Sequence, residues 1–395
     1  MRLLIIFFLT VCLSGCGTIP RRPVPPEFFP ETRVFGFSDI RVYGGSFSPL
    51  IQKSLVESIR QARNFTPNSW ADDTGTINML ALSGGGPNGA FGAGILCGWT
   101  ETGKRPVFKL VTGISTGALI APFAFAGPQY DETLKKFYTT VSTKDIMKRK
   151  GFLSLLFGSS SFADDSPLAR LIEECVTEDL FEEVAKAHEQ GRRLLIGTTD
   201  LDSGRFIVWN MGEIAASGKP EALQLFRKVL LASASIPVMF PPQRFDVEAR
   251  GNMYDELHVD GGTVTSVFFY GSLLNLKQAF LDADVKTPLQ LRLYVIINEK
   301  IKPDWKKIKP AVMPIAHRAV SELLSCQVID DIYRIYMITQ KDNIDFNYTY
   351  IPSDFKSQSS EHFDPVEMRK LFDFGFAKAS QGYRWEKAPP EFEAD

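Results

Sequence analysis

The residues whose type and spacing could do chemistry in this 395-residue chain are concentrated in two glycine turns. One is Gly113-Ile114-Ser115-Thr116-Gly117, the G-x-S-x-G spacing of a nucleophile elbow. There a serine sits on a sharp strand-to-helix turn, and glycines two before and two after let neighbouring backbones pass close by. The other is Ser83-Gly84-Gly85-Gly86-Pro87-Asn88-Gly89. It leaves the N–H groups of Gly84, Gly85 and Gly86 with no side chains in front of them. Such groups at a helix N-terminus are what the oxyanion of an acyl transfer needs as partners. Together the turns point to a serine acyl hydrolase. A lone G-x-S-x-G arises often by chance. Here an apolar strand, Phe108 to Thr112, precedes it and a small-residue helix follows from Ala118 to Ala126, which is the context the motif requires. Gly84-x-Gly86-x-x-Gly89 also fits a dinucleotide fingerprint, but that reading needs an acid at the end of the next strand. Phe108-Lys109-Leu110-Val111-Thr112 holds none, so a cofactor is disfavoured.

A serine hydroxyl is a weak nucleophile until a base takes its proton. The chain has four histidines: His188, His258, His317 and His362. The first and third read as polar or mixed helix surface, and His362 lies in a polar segment beside Asp364. None reads as lying on a strand-end glycine turn, whereas Asp260, in His258-Val259-Asp260-Gly261-Gly262, does. Active groups of parallel α/β sheets gather at the carboxyl ends of strands. Asp-Gly is also a common turn with no chemistry attached, so these residues alone leave the base open.

These motifs, in this order, resemble the patatin-like phospholipases. The resemblance covers residues 77 to 270, about half the chain. It rests on the glycine loop Ser83 to Gly89, the elbow around Ser115, Asp260-Gly261-Gly262, and the stretch Ser233-Ala234-Ser235-Ile236-Pro237 to Phe240-Pro241-Pro242. It implies a Ser–Asp dyad without histidine: Ser115 as nucleophile, Asp260 as base, and the amides of Gly84, Gly85 and Gly86 as oxyanion hole. It also implies a three-layer sandwich, a lipid ester substrate, and no metal or organic cofactor. Two departures stand out. Asn88 occupies the place of a basic residue in the loop, and Thr263-Val264-Thr265-Ser266 replaces an asparagine-rich turn after the aspartate. Two rival readings are a Ser-His-Asp esterase using His362 and a non-catalytic acyl-chain-binding lipoprotein.

The elements that must position these residues alternate along the chain. Strands are expected at Ile77–Leu82, Phe108–Thr112, Leu194–Thr199, Phe206–Trp209, up to Asp260, and Leu289–Asn298. Helices are expected over 45–64, 118–126, 133–141, 165–176, 221–234, 311–340 and 364–377. The alternation predicts an α/β fold with a mainly parallel central sheet and helices on both faces. Lys144, Lys148, Arg149 and Lys150, beside the apolar loop Gly151 to Gly158, could form a lid or a solvated turn.

Composition sets the outer bounds. A net charge of −2 with 23% charged residues gives no support to nucleic-acid binding. The start, M-R-L-L-I-I-F-F-L-T-V-C-L-S-G-C-G, carries an apolar run of about 11 residues, too short to span a bilayer and typical of a signal peptide. Leu13-Ser14-Gly15-Cys16 resembles a bacterial lipobox, which implies lipidation of Cys16, and Gly17 after it favours the outer membrane. The expected organisation is a signal peptide (1–15), a lipidated cysteine with a proline-rich tether (16–44), and a helical extension (45–76). The hydrolase domain (77–383) and a loose acidic tail (384–395) follow. Cys97, Cys175 and Cys326 show no disulfide or metal-ligand spacing and read as buried thiols.

Overall fold

The structure, a computed structural model, describes residues 21–65, 75–149, 161–285, 289–302, 305, 307–356, 359, 361 and 363–390. Twelve strands are present among them. They are β1 (Arg33–Val34), β2 (Arg41–Tyr43), β3 (Thr76–Leu82), β4 (Leu110–Ile114), β5 (Lys148–Arg149) and β6 (Ala163–Asp164), then β7 (Arg193–Asp200), β8 (Arg205–Asn210), β9 (Gln243–Ala249), β10 (Asn252–Asp260), β11 (Gln290–Ile297) and β12 (Ile344–Tyr350). Ten form one sheet, while β5 and β6 make a separate ribbon. The spine β7-β4-β3-β11-β12 is parallel throughout. An antiparallel wing extends from β7 through β10, β9 and β1, and β8 and β2 add to its other side.

Successive strand residues point to opposite faces, so a sheet buried on both sides needs near-continuous apolar strands. Leu80, Leu82, Leu194, Ile196 and Ile296 belong to one core. Their neighbours Met79, Ala81, Leu195, Val295 and Ile297 belong to the other. The first core is covered by helices Gly89–Glu101, Thr116–Ala126, Glu178–Glu189, Ala222–Ser233 and Pro365–Ser380. The second is covered by Pro49–Phe65 and the long helix Val312–Lys341. The result is the expected α/β layering with helices on both faces. Pro122 lies inside an unbroken helix, Thr116–Ala126.

Several expectations are corrected. The proline-rich segment is no free tether from Arg21 on. Asp255 accepts the Arg22 N–H at 2.6 Å, Val24 is buried, and Pro26–Glu31 forms a 3-10 turn leading into β1 on β9. β1 and β2 therefore belong to the sheet, although they precede residue 77. The acidic tail is docked as far as residue 390: Trp385 packs on Trp99 and Tyr294, and Lys387 pairs with Asp345 at 2.7 Å. Residues 391–395 and 150–160, which include the expected lid segment, lie outside the described residues. The alternating strands β9 and β12 escape a reading tuned to continuous apolar runs, because they carry a polar residue at every second position. Of the thiols, Cys97 is buried, Cys175 half-buried and Cys326 exposed.

Candidate active site

The meeting of Ser115 with Asp260 follows from strand register. Ile114, the last residue of β4, pairs with Gly197 of β7. Asp260, the last residue of β10, pairs with Thr198, the next position along β7. Gly197 and Thr198 also pair with β8 on their other side, so β4 and β10 share one edge of β7 and meet end to end. Two chain ends running in opposite directions thus bring Ser115 and Asp260 together at the carboxyl ends of the parallel strands.

The elbow is as tight as its glycines suggest. Ser115 has φ 54° and ψ −124°, a backbone conformation that costs a non-glycine residue about 1–3 kcal/mol and clusters at functional sites. A Cβ on Gly113 would lie 2.5 Å from the Gly117 carbonyl oxygen. One on Gly117 would lie 2.4 Å from that of Leu82. The Ser115 N–H donates to Ser233 Oγ at 3.0 Å, and that hydroxyl donates to the Gly197 carbonyl at 2.7 Å. Ser233 thereby ties the elbow to β7. The Ser115 hydroxyl stands next to the Asp260 carboxylate and favours its charged form.

Asp260 is 5% exposed. Burial pushes its carboxyl from 3.8 up to about 7, against the opposing pull of the nearby Ser115 hydroxyl and the Gly262 N–H. The Gly262 bond is 2.7 Å long. A second carboxyl, Glu299, stands just past the end of β11. Burial first, and the Asp260 charge second, raise it to about 7 as well.

The glycine loop lies against the elbow: a Cβ on Gly84 would sit 3.3 Å from Ser115 Cβ. The Gly84 N–H is already spent, donating to the Ser266 carbonyl at 2.9 Å. This corrects the expectation that it faces an oxyanion. Among the described residues, Gly85 and Gly86 make no such internal donation. Their φ values of 143° and 55° turn the backbone in a way side chains resist.

Asn298, at the end of β11, fixes this loop from both ends. Its amide nitrogen donates to the Ser83 carbonyl at 3.0 Å, and its amide oxygen accepts from the Gly92 N–H at 3.0 Å. Its own N–H donates to Ser83 Oγ at 2.8 Å, which donates to the Gly84 carbonyl at 2.7 Å. A Cβ on Gly85 would lie 2.3 Å from the Asn298 carbonyl oxygen. On the other side, buried Asp331 accepts from Thr265 Oγ1 at 2.8 Å and from the Ser266 N–H at 2.7 Å. It thus positions the carbonyl that holds Gly84. Neither residue is found by sequence reasoning. Asn298 was visible only as the end of an apolar strand and Asp331 only as one of many helix acids.

The turn Thr263 to Ser266 is thus held by Asp331, and Asn88 is exposed with no side-chain cap bond. His188 is buried against Glu213 at 3.2 Å, not on a polar surface. His258 is buried between Thr198 and Glu256. His362, the base of the rival triad, lies outside the described residues, as does Cys16. Among the described residues no group of side chains is arranged to hold a metal ion.

Residues 80–271 match the patatin-like phospholipase family. Among solved structures the chain is similar to VipD from Legionella pneumophila, at 11% identity and a TM-score of 0.36, over 78% of this chain and 67% of that one. Comparison with curated proteins finds no match.

Proposed function

Because residues 80–271 belong to the patatin-like phospholipase family, we propose that this chain is a lipid acyl hydrolase working through a Ser115–Asp260 dyad. The observation that carries the reading is the strand register that brings Ser115 beside Asp260, a buried carboxyl whose pKa is pushed to about 7. A base is most effective when its pKa lies near the working pH, and few carboxylates reach that value without burial.

In this mechanism Ser115 Oγ attacks the ester carbonyl carbon as its proton passes to Asp260. The carbonyl oxygen becomes an oxyanion beside the Gly85 and Gly86 N–H groups at the start of helix Gly89–Glu101. Collapse breaks the C–O bond, and the leaving alkoxide takes the proton from Asp260. Water then attacks the acyl-Ser115 ester, again giving a proton to Asp260, and the carboxylic acid leaves with Ser115 restored. The test is hydrolysis of medium-chain p-nitrophenyl esters and a fluorogenic phospholipid by wild type, Ser115→Ala and Asp260→Asn. Turnover by wild type and its loss in both variants is the expected result. A folded wild type silent on every ester, or activity lost in His362→Ala but kept in Asp260→Asn, overturns it.

The same proposal includes an anchor: Cys16 is lipidated and holds the protein at a bacterial membrane, the outer one in view of Gly17. The support is the Leu13-Ser14-Gly15-Cys16 pattern after an apolar run. Incorporation of a labelled fatty acid into wild type, and none into Cys16→Ser, is expected.

A further inference from the structure

The N-terminal segment is clamped to the domain five residues after Cys16. The Arg21 guanidinium binds Asp202 at 2.6 and 2.9 Å and Asp255 at 2.7 Å. The Asp255 carboxylate accepts the Arg22 N–H and the Asp255 N–H donates to the Arg22 carbonyl, while the Arg22 guanidinium lies 4.9 Å over the Tyr254 ring. From there the chain is held continuously, through Phe28 against Tyr254 and Glu31 against Arg250, into β1.

The position of the clamp matters. Asp202 lies in the turn that follows β7, at the carboxyl end of a strand parallel to β4. Ser115 follows the carboxyl end of β4, so the clamp and the candidate site lie at the same end of the sheet. Asp255 precedes Asp260 by five residues of β10, about 17 Å. From Cys16 to Arg21 the chain can extend at most about 17 Å. The eight residues of β7 span about 26 Å, so the opposite end of the sheet lies farther from Arg21 than this leash can reach.

We infer that the clamped segment holds the carboxyl-end face of the sheet, with the Ser115–Asp260 site, toward a lipid bilayer. The inference rests on the proposed lipidation of Cys16. The surface fits that occupant. Leu201, beside Asp202, is 43% exposed, and around the site Phe162, Val238 and Val264 are 43%, 62% and 40% exposed. Phe162 and Val238 adjoin, the N–H of the first donating to the carbonyl of the second at 2.9 Å. Exposed Lys148, on the ribbon next to Phe162, supplies a cation for anionic headgroups. Scattered exposed apolar residues mean little singly. Here they share the end of the sheet to which the leash is fixed.

The test uses the full-length lipidated protein in vesicles of phosphatidylethanolamine and phosphatidylglycerol containing brominated lipids. A fluorescent residue is placed at 201 or at 104, the latter exposed in the turn leading into the opposite, amino end of β4. Quenching at 201 with little at 104 is expected, and it needs no turnover, so a failed hydrolase reading leaves it intact. Equal or stronger quenching at 104, or unchanged quenching at 201 in Cys16→Ser, overturns the inference. A second measurement inserts roughly ten Gly-Ser residues after Gly17. Tripling the leash should lower hydrolysis of bilayer phospholipid about fivefold, as effective concentration falls with the −3/2 power of length, and leave a soluble ester unaffected. Unchanged bilayer hydrolysis by that variant also overturns it.

Discussion

The elbow and the glycine loop are both glycine turns at the carboxyl end of a spine strand, yet they are held by different means. The elbow is held chiefly by close backbone packing, with Tyr138 donating to the Thr116 carbonyl at 3.0 Å. Gly113 packs on Gly117, Gly117 on the backbone of the adjacent β3, and a single outside hydroxyl, Ser233, receives the Ser115 N–H. The glycine loop leans on residues far later in the chain: Asn298 for Ser83, Gly85 and Gly92, and Ser266 with Asp331 for Gly84. Close packing of backbone on backbone needs only the absence of side chains, which a local sequence can specify. Aiming two N–H groups at one point, as the proposed oxyanion hole requires, needs fixed hydrogen-bond partners, which only the folded sheet can bring.

The comparison can be broken first at the chemistry itself. Ser115→Ala, and Asp260→Asn almost as severely, should lower kcat about 10⁴-fold or more while both proteins fold, as checked by ester turnover and circular dichroism. Next come the two turns. Gly117→Ala places a Cβ 2.4 Å from the Leu82 carbonyl oxygen, so the elbow must shift; both melting temperature and kcat should fall. Asn298→Leu removes the side-chain bonds to Ser83 and Gly92 and should reduce kcat about 10²-fold, the scale of a lost oxyanion donor, with KM nearly unchanged. If KM rises instead while kcat holds, the loop serves substrate binding and the contrast with the elbow disappears. Asp331→Asn keeps an acceptor and should cost only about tenfold, measured the same way.

The smallest effect is on pH dependence, and its sign differs between activity and stability. With Asp260 as base, kcat/KM should rise with pH through about 7. Asp260 and Glu299 bind their protons more tightly folded than unfolded, since burial raises them from 3.8 and 4.5 to about 7. Folding stability should therefore decline from about pH 4 to about pH 7 and level off above. Urea unfolding at pH 5 and pH 8 tests this, and Asp260→Asn should remove part of the slope together with the activity limb. A slope unchanged in that variant would show that Asp260 is not the group responsible.

What the sequence determined by itself is what short range can encode. The elbow, the glycine loop, the spine strands β3, β4, β7 and β11, and most of the large helices are legible because apolar runs, small residues and glycine spacing act over a few positions. Fixing two faces of a buried sheet needs only those local patterns. The tertiary structure alone decided that β10 meets β4 end to end on β7, which turns an ordinary Asp-Gly turn into the partner of Ser115. It likewise took Gly84 out of the set of free donors and drew in Asn298 and Asp331. It also docked the proline-rich segment through Arg21 and the tail through Trp385. In each case the deciding contact joins residues far apart in the chain, and neither partner's local pattern records the other.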